Sequence, residues 1–156
     1  MSDFRSVAEK VFSNKYVVFA ARLILGVVFI YASLEKIQNP EGFAQAIYNY
    51  RMVPESLINI MAILLPWLEL ICGILVIVGV FVRGSALLIG AMLAVFIVAL
   101  SSALLRGLDI SCGCFTLEGG RGIAGKTLVE DILLMICVAI ALLHGGKVFS
   151  FKKGLN

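Results

Sequence analysis

Four long apolar runs separated by short polar stretches constrain this chain more than any other feature. Residues 17–34 are apolar apart from Arg22, and residues 57–82 are interrupted only by Asn59, Pro66 and Glu69. Residues 84–105 carry no charge. The fourth run, 132–143, is only twelve residues long. It reaches the ~20 residues a membrane crossing needs only when extended back to Ile123, which takes in Lys126, Glu130 and Asp131 near its start. The runs show no period-2 alternation, which favours helices over a β-barrel. Of the 156 residues 61% are hydrophobic, and the mean hydropathy is +1.04. A soluble domain of that size could not cover such a core. The chain therefore reads as one all-α domain over residues 1–156, an integral membrane bundle with spans at about 17–34, 57–82, 84–105 and 123–143.

Between the first two runs, Asn39-Pro40-Glu41 is a helix start signal: a capping residue, a proline at the first position, then an acid. Phe43, Ala46, Ile47 and Tyr50 follow at helical spacing, which predicts a short amphipathic helix in the interface, ended by Pro54. Ala86, Gly90 and Ala94 form a small-residue stripe suited to close helix packing, and His144-Gly145-Gly146 reads as a helix stop. No small-x-small cleavage site ends the first run, so it reads as an uncleaved span that also directs insertion. Lys and Arg outside the spans divide seven to five in favour of the side bearing the tails. The positive-inside rule then places both termini in the cytoplasm of a bacterial inner membrane.

The chemistry concentrates in Ser111-Cys112-Gly113-Cys114-Phe115, the polar gap before the fourth span. On this orientation the gap faces an oxidising compartment. Cysteines at i and i+2 come within disulfide range when the backbone bends, and the intervening glycine permits the bend. The ring so formed is small, closes too little chain to stabilise much, and is easily reduced. Arg106, Arg121 and Lys126 favour a thiolate there, partly offset by Asp109 and Glu118. A soft metal is the competing use, but no Met or His lies nearby as a third ligand. A plain structural disulfide is the remaining alternative.

Charges within the apolar runs form a second group. Glu69, after Pro66-Trp67, should face the bundle interior as a proton acceptor or as a group seating a quinone between helices. Its structural alternatives are a pair with Arg22 or a protonated carboxyl. Glu35 and Lys36 close the first span on the cysteine side, and Glu130 and Asp131 open the fourth. The helix dipole accounts for the acids of the fourth span, while proton traffic beside the thiols would use Glu35, Lys36 and Asp131. Trp67, Tyr31, Tyr48 and Tyr50 read as interface or bundle anchors, and Cys72 and Cys137 as packing residues. A net charge of +3 is too small to imply nucleic-acid binding. No nucleotide loop, metalloprotease motif or Ser-His-Asp set is present, and one histidine cannot ligate a haem twice.

Taken together, Ser33-Leu34-Glu35-Lys36-Ile37, the helix after Asn39-Pro40, Pro66-Trp67-Leu68-Glu69 and Cys112-Gly113-Cys114-Phe115 resemble the DoxX-like membrane proteins, in their methylamine-utilisation MauE branch. The resemblance spans residues 16–143. Thr116 stands where MauE-like sequences often have a glycine. It implies a four-helix inner-membrane protein tied to thiol–disulfide chemistry outside the membrane, and maturation of a disulfide-rich periplasmic partner. The leading expectation is a thiol–disulfide oxidoreductase in which Cys112 and Cys114 exchange with a thioredoxin-like or cysteine-rich partner, with a membrane quinone as candidate electron carrier. A non-catalytic assembly factor is the alternative. A small-molecule or metal carrier is disfavoured by the lack of a repeated half.

Overall fold

A computed structural model describes residues 14–106 and 121–144, with the side chains of the last helix described from Thr127 onward. Among the described residues five helices run in order: α1 (Lys15–Gln38), α2 (Pro40–Tyr50), α3 (Glu55–Val78), α4 (Val82–Leu105) and α5 (Arg121–His144). Four of them are long and apolar enough to cross a membrane, and α2 is the short one. Around the bundle α1 packs on α3, α3 on α4, α4 on α5 and α5 back on α1. One apolar core joins all four, built from Leu25 and Phe29, Cys72 and Val76, Ile89 and Leu93, and Leu134 and Val138. The outward faces carry Ile24, Leu64, Ile71, Val95 and Leu133, as expected of side chains that meet lipid.

The junctions follow from local chemistry. Asn39 ends α1, its N–H donating to the Glu35 carbonyl at 3.2 Å. Its side chain then caps α2 by accepting from Gly42 N–H at 2.9 Å. The helix predicted after Asn39-Pro40 is thus present, and its predicted apolar face, Phe43, Ala46, Ile47 and Tyr50, is buried against the bundle. Pro54 does not end it. Arg51 does, in the left-handed conformation at φ 51°, and Pro54 instead serves as the N-cap residue of α3. Between α3 and α4 the chain turns on Gly79 at φ 88°, a conformation that costs glycine little. The second span therefore stops at Val78, short of residue 82, and Arg83 belongs to the first turn of α4.

Two expectations about packing change. The stripe of Ala86, Gly90 and Ala94 does not face inward along its length. Ala86 is buried and Gly90 approaches Val138 closely, but Ala94 is exposed. A spacing of four residues drifts around a helix with 3.6 residues per turn, so Leu93 takes the third inward place. The tightest crossing lies elsewhere. A Cβ on Gly26 would sit 2.3 Å from Ile77 Cγ1 and 2.8 Å from the Gly73 carbonyl oxygen. Only a glycine lets α1 and α3 approach this closely.

Candidate functional site

The α1–α3 seam organises the buried charges. At one end Arg22, only 2% exposed, donates from Nε to the Val76 carbonyl at 3.0 Å and from Nη2 to the Ile77 carbonyl at 3.3 Å. These are carbonyls of the last turn of α3, which lack partners within the helix. Arg22 thus satisfies backbone acceptors and does not pair with Glu69. Glu69 is instead held by Lys36. Lys36 Nζ donates to Oε1 at 2.8 Å and to Oε2 at 2.7 Å, with the two residues 3% and 1% exposed.

Helix geometry explains how these two meet. Gly26 stands against Gly73 across antiparallel helices, so residue 69 faces residue 30. Lys36 lies six residues beyond that point, about 9 Å along the axis. Its side chain leans back toward the N-terminus of α1, as helical side chains do, and its length covers the gap. Two phenyl rings close over the ammonium, with Phe43 of α2 and Phe96 of α4 each 5.1 Å from Nζ to ring centroid. A buried charge is tolerated when it is paired and hydrogen-bonded, and ring faces add to this.

Beyond those rings lies a cavity of about 410 Å³, lined by apolar side chains of α2, α3, α4 and the α2–α3 turn. Phe43, Ile47, Met61, Leu65, Met92 and Phe96 form much of its wall. Ala91 and Val95 also line it and are exposed on the outer face of α4. The cavity therefore opens sideways, toward the bilayer. Sequence reasoning missed it. Phe43 was legible as an inward position of an amphipathic helix, but Phe96 sits in a run with no polar landmark.

The other predicted residues divide. Glu35 is half-buried and takes no part in the Lys36–Glu69 pair. Asp131 is buried at 1% exposure. It lies ten residues into α5, about 15 Å from the helix start, so a dipole effect confined to the first turn does not explain it. Thr127, one turn earlier on the same face, is buried too. Asp131 and Thr127 thus share a face of α5 that is turned into the bundle. Trp67 is exposed on the outer face of α3, while Cys72 lies in the core and Cys137 packs against it, both as free thiols. Cys112 and Cys114 lie outside the described residues.

The family model described as methylamine utilisation protein MauE matches residues 14–144. The chain is 31% identical over 130 residues to the methylamine utilization protein MauE of Paracoccus denitrificans, covering 83% of this chain and 69% of that protein. It is 31% identical over 107 residues to the protein of that name from Methylophilus methylotrophus, covering 68% and 56% of the two chains. With the protein of that name from Methylorubrum extorquens it shares 33% over 95 residues, covering 60% of this chain and 51% of the relative. The matched region thus spans between half and about two thirds of these relatives. No solved structure matches the chain. The motifs singled out at Lys36, Pro40, Glu69 and Cys112–Cys114 all fall inside the matched residues, and the chain belongs to the MauE family.

Proposed function

We propose that this chain is an accessory membrane protein of methylamine utilisation that carries out thiol–disulfide exchange through Cys112 and Cys114. What supports this reading is the position of the pair in the sequence between two described helix ends. Cys112 follows the last residue of α4 by seven positions, and Cys114 precedes the first residue of α5 by seven. Seven extended residues reach at most about 25 Å. The flanking ends of α4 and α5 lie at the end of the bundle where Lys36 closes α1 and where α2 covers the cavity. With the termini in the cytoplasm of an inner membrane, that end faces the compartment where disulfides persist. The wider DoxX-like kinship, read from the motifs, belongs to the same proposal.

The chemistry balances with residues of this chain and one partner, a thioredoxin-like or cysteine-rich protein outside the membrane. A thiolate of the pair attacks one sulfur of the partner's disulfide, forming a mixed disulfide and releasing the partner's other sulfur as thiolate. The second cysteine then attacks the mixed disulfide. The partner leaves as a dithiol, and Cys112 and Cys114 are left joined. Run in reverse, the same steps install a disulfide in the partner. Glu69, Glu35, Lys36 and Asp131 are the candidates for handling protons near this end.

Mass-tagged alkylation of thiols in intact cells tests the reading. A reversibly oxidised pair is expected in the unmodified chain, and a disulfide-linked adduct with a second protein in Cys114→Ala. Thiols that stay reduced, with no adduct, would leave a non-catalytic assembly factor as the better account.

A further inference from the structure

We infer that the cavity beneath α2 is a binding site for a lipid-soluble quinone, which takes electrons from the cysteine pair. The inference rests on the thiol–disulfide reading above and gives that reading a direction. Three features of the cavity point to such a ligand. Its volume of about 410 Å³ falls within the range of roughly 300–1,000 Å³ typical of small-molecule sites. Its open side, at Ala91 and Val95, faces the bilayer, so the ligand arrives dissolved in lipid. Its wall contains two phenyl rings, Phe43 and Phe96, against which a flat ring can stack.

A fourth feature, behind the wall, separates a quinone from an acyl chain. Lys36 Nζ stands 5.1 Å from both ring centroids, so the ammonium end of the Lys36–Glu69 pair is the end set against the rings that face the cavity. In a medium of low dielectric, a positive pole set behind those rings stabilises negative charge developing on a ligand stacked against their other faces as it is reduced. An acyl chain gains nothing from it. Lys36 acts here as a positioning residue, through the rings, and the sequence-based placement of a quinone beside Glu69 itself moves to the other side of Phe43 and Phe96.

The stoichiometry is simple. Cys112 and Cys114 as a dithiol lose two electrons and two protons when their S–S bond forms. The quinone gains two electrons and two protons, and both its carbonyls become hydroxyls. The disulfide so formed is then passed to the partner, whose dithiol is oxidised as the pair is reduced again. The protein is thereby a donor of disulfides, with the bilayer as the sink for electrons.

Titration of a short-chain benzoquinone into the purified full chain in lipid nanodiscs tests the site directly. Saturable binding of one quinone per chain is expected. Ala91→Trp and Val95→Trp, each a bulky group placed at an exposed position of the mouth, should weaken it about tenfold or more, or ~1.4 kcal/mol. Cys112→Ser should bind as the unmodified chain does, since the site needs no thiol. Unchanged affinity in both Trp variants would overturn the proposal. So would binding that added phospholipid abolishes as effectively as quinone competes, which would assign the cavity to acyl chains. Anaerobic addition of quinone to the reduced chain supplies the second readout, a loss of two alkylatable thiols that the Trp variants slow. Quinone binding without thiol oxidation would leave the site standing and remove the thiol-relay reading instead.

Discussion

The two ends of the α1–α3 seam solve the same problem in opposite ways. At the Arg22 end, a charged side chain satisfies the carbonyls of Val76 and Ile77, and Gly26 lets the backbones close together. The charge there completes a helix terminus. At the Lys36 end a full ion pair is buried, two rings are laid over it, and a cavity is left alongside. Nothing in the backbone needs that pair, since Glu69 lies in the middle of a continuous helix. Replacing a buried pair by apolar residues is often neutral or stabilising. Its presence beside a ligand-sized space is what directs attention to function at this end and to packing at the other.

This contrast can be broken experimentally. The largest effect is expected from Lys36→Met, which leaves the Glu69 carboxylate buried without its partner and should cost about 3–5 kcal/mol in stability. Unfolding in mixed detergent–SDS micelles measures it. Lys36→Met combined with Glu69→Leu should recover most of that loss, because no uncompensated charge remains. A double variant as unstable as the single one would mean that the pair is structural, like Arg22. Next in size is Gly26→Ala, whose new methyl meets both Ile77 and the Gly73 carbonyl. Forcing the helices apart there should cost about 1–3 kcal/mol in the same assay. If Gly26→Ala were silent, the close approach would not be what holds this end. The smallest effect belongs to Gly84→Ala, where nothing lies within 4 Å of the added Cβ. It should stabilise α4 by no more than about 1 kcal/mol through helix propensity alone.

Much of this architecture was legible in the chain. Length and composition of the apolar runs gave the four helices, and Asn39-Pro40 gave α2 with its buried face, because capping and helical periodicity are local. Proline and charge were read less well. Pro54 has no power over a helix that Arg51 has already stopped. For Asp131, a place near the start of an apolar run said nothing of its burial, which depends on the face of α5 that it occupies. The candidate site was half visible. Lys36, Glu69 and the cysteine pair stood out as polar residues in or beside apolar sequence, while Phe43 and Phe96 did not, being apolar residues among many.

Sequence alone determined the class of the fold, the number of long apolar helices and the family, and it singled out the residues proposed to do chemistry, because these follow from the solvent each residue type tolerates and from short motifs. It could not choose a partner for Glu69. Arg22 and Lys36 are both cations on α1, and the choice between them turns on a crossing set by Gly26 and Gly73 and on the backward lean of a long side chain. The tertiary structure alone decided that choice, and with it the cavity behind Phe43 and Phe96. Both arise from distances between helices, which no single run of residues encodes.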